Sequence, residues 1–181
     1  DTHCVAAFKE QLNTSAVERI AASISRAWPA FDDVAFLAAA LPALGDLELK
    51  ARVQHLSDRL RDALPADVPR ALEILCASLG PPGAPSGGDQ WGPDDPRHTT
   101  GFLVWPLTQF VQDHGLENFE PSMAALEQMT RRFTAEFALR PFAVRYPERT
   151  LERALAWTRS PDQHLRRLAS EGLRPRLPWG L

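Results

Sequence analysis

The sequence predicts an all-α protein whose helices stack as antiparallel pairs in an α-solenoid, and three observations support this. Apolar residues recur at helical spacing through nearly all of the 181 residues, and no segment shows the two-residue alternation of a half-buried strand. The implied helices are about 10 to 15 residues long with short joints, as in antiparallel pairs. Hydrophobic residues make up 44% of the chain, which is enough for one continuous core.

Residues 1–79 are predicted to form an N-terminal helical region of four helices. The run Ser15-Ala-Val-Glu18 has the form of a capping box, and an apolar stripe follows it until Pro29 ends the helix. Acidic residues stand where the next three helices need side-chain caps, namely Asp32 or Asp33, Asp46 and Asp67. In the third helix the apolar residues fall on one face: Leu49, Val53, Leu56, Leu60 and Leu64.

Residues 80–100 are predicted to form a long loop, because ten of these 21 residues are Gly or Pro. Loops of this length are uncommon in compact domains and are usually functional or mobile. Trp91 lies inside the loop, and the simpler interpretation is that its indole packs the loop down.

Residues 101–181 are predicted to return to helix pairs. Five helical segments are expected there: Trp105 to His114, a helix opened by Pro121, Thr134 to Tyr146, Pro147 to Thr158, and Ser160 to Gly172. Stacked pairs of this length are typical of HEAT-like repeats, although the letters show no strict repeat. We therefore expect one continuous solenoid domain in which residues 101–181 form HEAT-like repeats.

Charge is unevenly distributed, although the chain as a whole carries only −3. Residues 1–130 contain nine Lys or Arg and 18 Asp or Glu, whereas residues 131–181 contain eleven Arg and five acidic residues. A basic end of this kind indicates a polyanionic partner, nucleic acid being one candidate, that would face a basic groove within residues 101–181. The alternative is that arginine is simply the favoured cation, because Lys9 and Lys50 are the only lysines.

The most unusual segment runs from Arg166 to Trp179 and collects charged residues near a helix end. Arg167 and Glu171 are four residues apart and share a helix face. Beyond the helix, prolines stiffen the chain and give the last indole a defined place; the residues there are Arg174, Pro175, Arg176, Pro178 and Trp179. The alternative is a solvated helix end with a proline-rich exit.

Glu136 lies 35 residues before Glu171, which is about one helix-pair repeat, so we expect both carboxylates on one face. Arg132 and Arg140 lie four residues to either side of Glu136. Guanidinium groups bind phosphates, carboxylates can stabilise a developing positive charge, and an indole attracts a cation. Two carboxylates on one face, each placed among arginines, therefore form the candidate site.

Three runs resemble the AlkC branch of the AlkC/AlkD-like DNA glycosylases: Thr134-Ala-Glu-Phe-Ala-Leu-Arg-Pro-Phe142, Arg145-Tyr-Pro147 and the Arg166–Trp179 segment. The runs Phe31-Asp32, Glu48-Leu-Lys-Ala-Arg52 and Ala71-Leu-Glu-Ile-Leu75 are also similar to that branch. The resemblance implies HEAT-like repeats that form a concave, basic DNA-binding surface. It further implies an enzyme that hydrolyses the N-glycosidic bond of cationic alkylated bases, such as 3-methyladenine, in duplex DNA. No metal or cofactor is implied, and the lesion is expected to stay stacked in the duplex.

The resemblance places the catalytic residues at Glu136, Glu171 and Trp179, flanked by two arginines. Combined with the charge pattern, it predicts that DNA is contacted by Arg132, Arg140, Arg167, Arg174 and Arg176. It also implies a further Asp from the next repeat, beyond Leu181. We therefore expect a truncated superhelix that is less active than a form with the downstream repeats.

The chemistry of the residues agrees with this family, because a base alkylated at a ring nitrogen is already charged and can leave without a general acid. Two carboxylates would supply negative charge beside a sugar that becomes oxocarbenium-like. The alternative is a non-catalytic HEAT-like DNA-binding or protein-interaction module. The two acids favour the enzyme, since a phosphate binder gains nothing from carboxylates in a basic groove, whereas the missing downstream repeat favours the module.

Other functional classes find little support in the sequence. The five histidines lack metal-ligand spacing, and no Gly-rich phosphate loop follows a strand. No apolar run approaches the ~20 residues of a membrane span, and no signal peptide is visible. Cys4 and Cys76 are too few for a disulfide framework, which fits a reducing cytosol. We expect a cytoplasmic monomer without a metal or a small-molecule cofactor.

Overall fold

The computed structural model of the protein describes residues 8–83 and 95–174. Within these ranges the chain forms nine α-helices and no sheet, apart from an isolated bridge between Leu79 and Thr99, which confirms the predicted all-α class. The helices are α1 (Thr14–Ala27), α2 (Asp33–Leu44), α3 (Leu49–Ala63), α4 (Val68–Ala77), α5 (Trp105–His114), α6 (Phe119–Thr130), α7 (Glu136–Arg145), α8 (Pro147–Thr158) and α9 (Gln163–Gly172). Short 3-10 turns precede α1 and α5, at Glu10–Leu12 and Gly101–Val104.

Two of the predicted helix caps are confirmed. The Asp32 carboxylate accepts a hydrogen bond from the amide of Ala35 at 2.9 Å, and the Asp67 carboxylate accepts one from the amide of Arg70 at 3.0 Å. Both caps satisfy an amide that has no partner inside the helix.

Two other predicted caps are wrong because the helices begin at different residues. Asn13 is extended and its side chain accepts from the amide of Ala16, so Ser15 lies inside α1 and does not cap it. Asp46 lies in the turn that closes α2, where its amide donates to the carbonyl of Ala43, and the extended residue before α3 is Glu48.

Three later helices also start at residues that differ from the prediction. α6 begins at Phe119, with Pro121 inside its first turn, where a missing amide costs nothing. α7 begins at Glu136 and not at Thr134, since the amides of Arg132 and Phe133 still bond to the carbonyl of Met129. α9 begins at Gln163, capped by Asp162.

From α3 onward the helices are arranged in two layers that the chain visits alternately. α3, α5, α7 and α9 lie side by side in one layer, and α4, α6 and α8 form the other. Two contacts show that neighbouring helices of the first layer run parallel. Glu136 contacts Arg167, and further along both segments Arg140 contacts Arg174. Consecutive helices are therefore antiparallel and repeat units stack in register, as in an α-solenoid.

One continuous hydrophobic core connects the repeats. It runs from Leu12 to Ala169, and its largest fully buried side chains include Phe110 and Phe142. Met123 and Met129 are fully buried in it, as the sequence predicts. The core thus holds the two layers together and supports the residues on the outer face of the first layer.

The described ends of the segment 80–100 are fixed to the helices. The amide of Gly83 donates to the carbonyl of Arg131 at 2.8 Å, and the amide of Gly80 donates to Thr99 at 3.0 Å. The guanidinium of Arg19 donates to the carbonyls of Asp95 and His98. Trp91 lies outside the described residues. In the described ranges, none of the helices has both the length and the apolar character needed to cross a bilayer.

Candidate active site

Glu136 is the first residue of α7 and is only 4% exposed. Its Oε1 lies 3.2 Å from Nε of Arg167 on the neighbouring helix α9, and its Oε2 is buried without a hydrogen-bond partner among the described residues. The positive end of a helix dipole favours a carboxylate at this position. Burial acts in the opposite direction and raises the pKa of Glu136, while Arg167 lowers it.

Glu171 lies one helical turn beyond Arg167 in α9 and is more open to solvent, with 28% of its side chain exposed. Its Oε2 forms an ion pair with Arg174 at 2.9 Å. The two acids interact, since the charge of Glu171 contributes to the raised pKa of Glu136. The predicted placement of both carboxylates in one region of adjacent repeats therefore agrees with the geometry.

Gly172 sets how closely α9 approaches α7 next to these acids. A Cβ atom added at Gly172 would lie 2.7 Å from Cδ2 of Leu139, which is fully buried. Real Cβ atoms do not approach a neighbour this closely, so a larger residue would push α9 away from α7. The residue after Glu171 is small because the two site helices are in direct contact.

Arg140 connects α7 to the end of α9, where its Nη1 donates to the carbonyl of Arg174 at 3.0 Å. It also lines a trough of about 530 Å³ on the outer face of the first layer. The structure thus brings together five of the eight predicted site residues: Glu136, Arg140, Arg167, Glu171 and Arg174.

Arg132 has a different environment from the one that the sequence suggests. It lies in the turn after α6, so its four-residue spacing from Glu136 does not place the two side chains on one helix face. Its guanidinium donates to the carbonyl of Gly80 at 2.6 Å and to that of Gln128 at 2.7 Å. Arg132 therefore anchors the segment that follows α4, and Arg167 is the arginine that pairs with Glu136. Arg176 and Trp179 lie outside the described residues.

The polar and aromatic residues of the trough do not follow from the sequence patterns described above. They come from three parallel helices, α3, α5 and α7, and include Lys50, Gln54, Trp105, Gln109, Gln112 and Phe137. Three pairs across α5 and α7 share the same 32-residue offset: Trp105 with Phe137, Gln109 with Pro141, and Gln112 with Val144. A comparison of the sequence with itself at this offset could have identified the trough residues of α5 and α7.

Potential metal ligands come together at one point of the described structure. Ligand atoms of Asp58, Asp113 and His114 lie within 4.8 Å of one another. The Asp113 carboxylate already accepts hydrogen bonds from Gln54, Ser57 and Gln109. These bonds join α3 to α5, and they account for the position of Asp113 through polar packing.

Replacing Glu136 with glutamine is expected to stabilise the fold at neutral pH, because the substitution removes a buried charge. A carboxyl group whose pKa is raised in the folded state contributes its full stability below its unfolded pKa and loses that contribution as pH rises through its folded pKa. The gain in Glu136→Gln should therefore be largest near pH 7 and should shrink as pH falls to about 4, the ordinary range of glutamate.

Thermal unfolding of both proteins across this pH range measures the effect, with the exposed Glu148→Gln on α8 as the matched control. A glutamine variant at position 136 that is less stable than the parent at pH 7 would show that the Arg167 ion pair outweighs the burial of the charge.

No family model matches the sequence. The fold is similar to that of the Pseudomonas fluorescens alkylpurine DNA glycosylase AlkC bound to DNA containing an abasic site analog, with a TM-score of 0.80 and 35% identity over 96% of this chain and 44% of AlkC. The uncharacterized protein YhaZ of Bacillus subtilis (strain 168) is 33% identical over 177 residues, which are 97% of this chain and 45% of YhaZ. The chain spans less than half the length of either relative. The predicted resemblance to the AlkC branch and its HEAT-like fold is confirmed by these matches.

Proposed function

From its relationship to AlkC in sequence and fold, we propose that this chain carries the glutamate pair of a DNA glycosylase. The enzyme hydrolyses the N-glycosidic bond of cationic alkylated bases, such as 3-methyladenine, in duplex DNA. The observation that carries the proposal is the placement of Glu136 and Glu171 on adjacent parallel helices, each paired with an arginine. The enzyme acts as a monomer in the bacterial cytosol and needs no metal or cofactor.

The reaction needs negative charge more than it needs an acid. When the bond between C1′ and the ring nitrogen breaks, its electron pair moves onto the base, which becomes neutral, and C1′ becomes oxocarbenium-like. Water then adds to C1′ and releases a proton. Carboxylates beside the sugar stabilise the developing charge, which is the role proposed for Glu136 and Glu171.

Arg167 connects DNA binding to the negative charge of Glu136. In the unbound protein it pairs with Glu136, and 39% of its side chain is exposed. A DNA phosphate is a stronger guanidinium partner than one carboxylate oxygen, since it offers several acceptors and is bound bidentately. Movement of Arg167 towards a phosphate would leave the Glu136 carboxylate to face the sugar.

A non-catalytic DNA-binding or protein-interaction module remains the second candidate function. The observation that favours it is the near-complete burial of Glu136, whose carboxylate already has an internal ion pair. Buried ion pairs often fix the position of packed helices without taking part in any reaction.

Duplex affinity of the 181-residue chain is expected to fall steeply with added salt, because phosphate contacts release counterions. Each lost phosphate contact makes the slope of log affinity against log salt concentration shallower by about 0.9. Removing two site cations in Arg140→Gln/Arg174→Gln should therefore reduce the slope by about 2. Fluorescence anisotropy with a labelled duplex measures the slope.

Arg70→Gln is the matched control, since Arg70 lies on α4 in the other layer and is 55% exposed. If this control weakens binding as much as the double variant does, or if binding ignores ionic strength, the proposed groove is wrong.

A further inference from the structure

A pocket of about 450 Å³ opens at the amino-terminal ends of α3, α5 and α7, beside the Glu136–Arg167 pair. Its size falls in the range of small-molecule sites, which is ~300–1,000 Å³. Arg167, Thr134 and Phe137 line it, so it is directly continuous with the candidate active site. Gln11 adds a further polar side chain to its wall.

Aromatic rings from three separate stretches of the chain form most of this pocket, which we call the aromatic pocket: Phe8, Phe102, Trp105, Phe133 and Phe137. Phe102 connects them, with ring centroids 6.1 Å from Phe8, 5.4 Å from Trp105 and 5.3 Å from Phe133. Trp105 is in turn stacked with Phe137, at 6.2 Å and an interplanar angle of 14°. Phe8 is 36% exposed, so this cluster opens to solvent on that side.

The outer wall of the aromatic pocket is held in place before any ligand binds. The buried guanidinium of Arg52 donates to the carbonyls of Lys9 and Leu12, at 3.0 Å each. Lys9 forms an ion pair with Glu48 at 2.9 Å. The segment that carries Phe8 is therefore fixed to the start of α3, and a preformed site of this kind binds at a lower entropic cost.

We propose that the aromatic pocket binds the free purine base that the reaction releases, an inference that rests on the proposed function. On cleavage the base takes the bonding electron pair and becomes neutral, so it is no longer attracted to the two carboxylates. A neutral planar heterocycle stacks well on aromatic rings. Gln11, Thr134 and Arg167 offer hydrogen-bonding groups for its ring nitrogens. The pocket is large enough for a purine and adjoins the candidate active site through Thr134, Phe137 and Arg167.

Calorimetric titration of the 181-residue chain with 3-methyladenine tests the proposal. We expect one saturable site, and Phe8→Ala should weaken it at least about fivefold, since base–aromatic contacts of this kind contribute measurably to affinity. Phe8 is partly exposed and does not belong to the buried core, so its replacement leaves the core intact. Thr134→Val is a second variant that removes a rim hydroxyl and keeps the shape; it should also weaken binding.

Leu151→Ala is the matched control, because Leu151 is an exposed apolar residue on α8 in the other layer, and it should leave binding unchanged. Cyclohexanol, which is apolar but not planar, should not bind. The proposal is overturned if 3-methyladenine shows no saturable binding, if Phe8→Ala has no effect, or if cyclohexanol binds as well as the purine.

The same titration on Glu136→Gln separates this inference from the proposed function. If both are right, this variant loses excision activity and still binds the free base. Normal excision in Glu136→Gln together with base binding would refute the proposed role of the acid and leave the pocket standing. Slow excision in Glu136→Gln without base binding in the parent chain would refute the pocket alone.

Discussion

Excision of 3-methyladenine is expected to slow by roughly a hundredfold when Glu136 is replaced by glutamine, and by a similar factor in Glu171→Gln. Glutamine keeps the shape of the side chain and removes its charge. An interaction directed at transition-state charge in a water-poor site is commonly worth about 3 kcal/mol, which corresponds to this factor. Duplex affinity should stay equal or rise, because a negative charge near phosphates is lost.

Single-turnover excision from a duplex that carries one methylated base measures the effect. The substitutions are made in the 181-residue chain joined to the part of AlkC that it does not cover, because the chain spans 44% of AlkC. The unjoined chain is expected to be slower than the joined form. Trp179→Ala should reduce the rate by less, since an exposed cation–π contact contributes only ~0.5–1 kcal/mol.

Glu148→Gln is the control for loss of charge alone, because Glu148 is an exposed carboxylate on α8 within the same arginine-rich part of the chain, residues 131–181. Unchanged rates in both Glu136→Gln and Glu171→Gln would mean that these acids are structural. The interaction-module function would then be the better account of the site.

Glu136→Gln is expected to raise stability and to lower the excision rate, and this combination identifies the role of the residue. A purely structural ion pair with Arg167 predicts lower stability on substitution and no specific loss of rate. A carboxylate kept buried for catalysis predicts higher stability and lower rate, since active sites often retain charge at the expense of stability. Measuring both quantities on one variant distinguishes the two functions more sharply than either quantity does alone.

The presence of a helix in each segment and most of the core residues could be predicted from the sequence, because both depend on local periodicity. The stripe of Leu49, Val53, Leu56 and Leu60 is buried as its spacing indicates. Caps were predictable at Asp32 and Asp67, where acidic residues directly precede an apolar run. They were mispredicted at α1, where Asn13 and Ser15 are both capping residues and only the backbone turn decides between them, and at α3, where the residue before the helix, Glu48, makes no side-chain cap at all.

The site was predictable only where its residues follow the repeat. Glu136 and Glu171 lie on adjacent repeats at nearly the repeat length, so their proximity follows from stacking. Arg132 was misplaced because the spacing argument assumed a helix where the chain makes a turn. The aromatic pocket could not be found from local patterns, since Phe8, the Phe102–Trp105 pair and Phe133 come together only through tertiary packing.

Arg52→Met is expected to destabilise the fold by about 3 kcal/mol, which is within the range for breaking a buried charged network. Arg52 is 4% exposed although its side chain is charged, because it lies three residues after Leu49 and four before Leu56, at the edge of the apolar face of α3. Its guanidinium donates to carbonyls of Leu47, Lys9 and Leu12 at 2.9–3.0 Å. Methionine keeps most of the volume and leaves these three carbonyls without a donor.

Chemical denaturation measures the change in the free energy of unfolding, and Arg70→Met is the matched control. Arg70 forms only an exposed ion pair with Glu73, so its loss should cost less than about 0.5 kcal/mol. Because the carbonyls of Lys9 and Leu12 belong to the segment that carries Phe8, Arg52→Met should also weaken binding of 3-methyladenine to the aromatic pocket. A loss of stability below 1 kcal/mol would mean that water replaces Arg52 at these carbonyls, and that the guanidinium is not what holds the amino-terminal segment on α3.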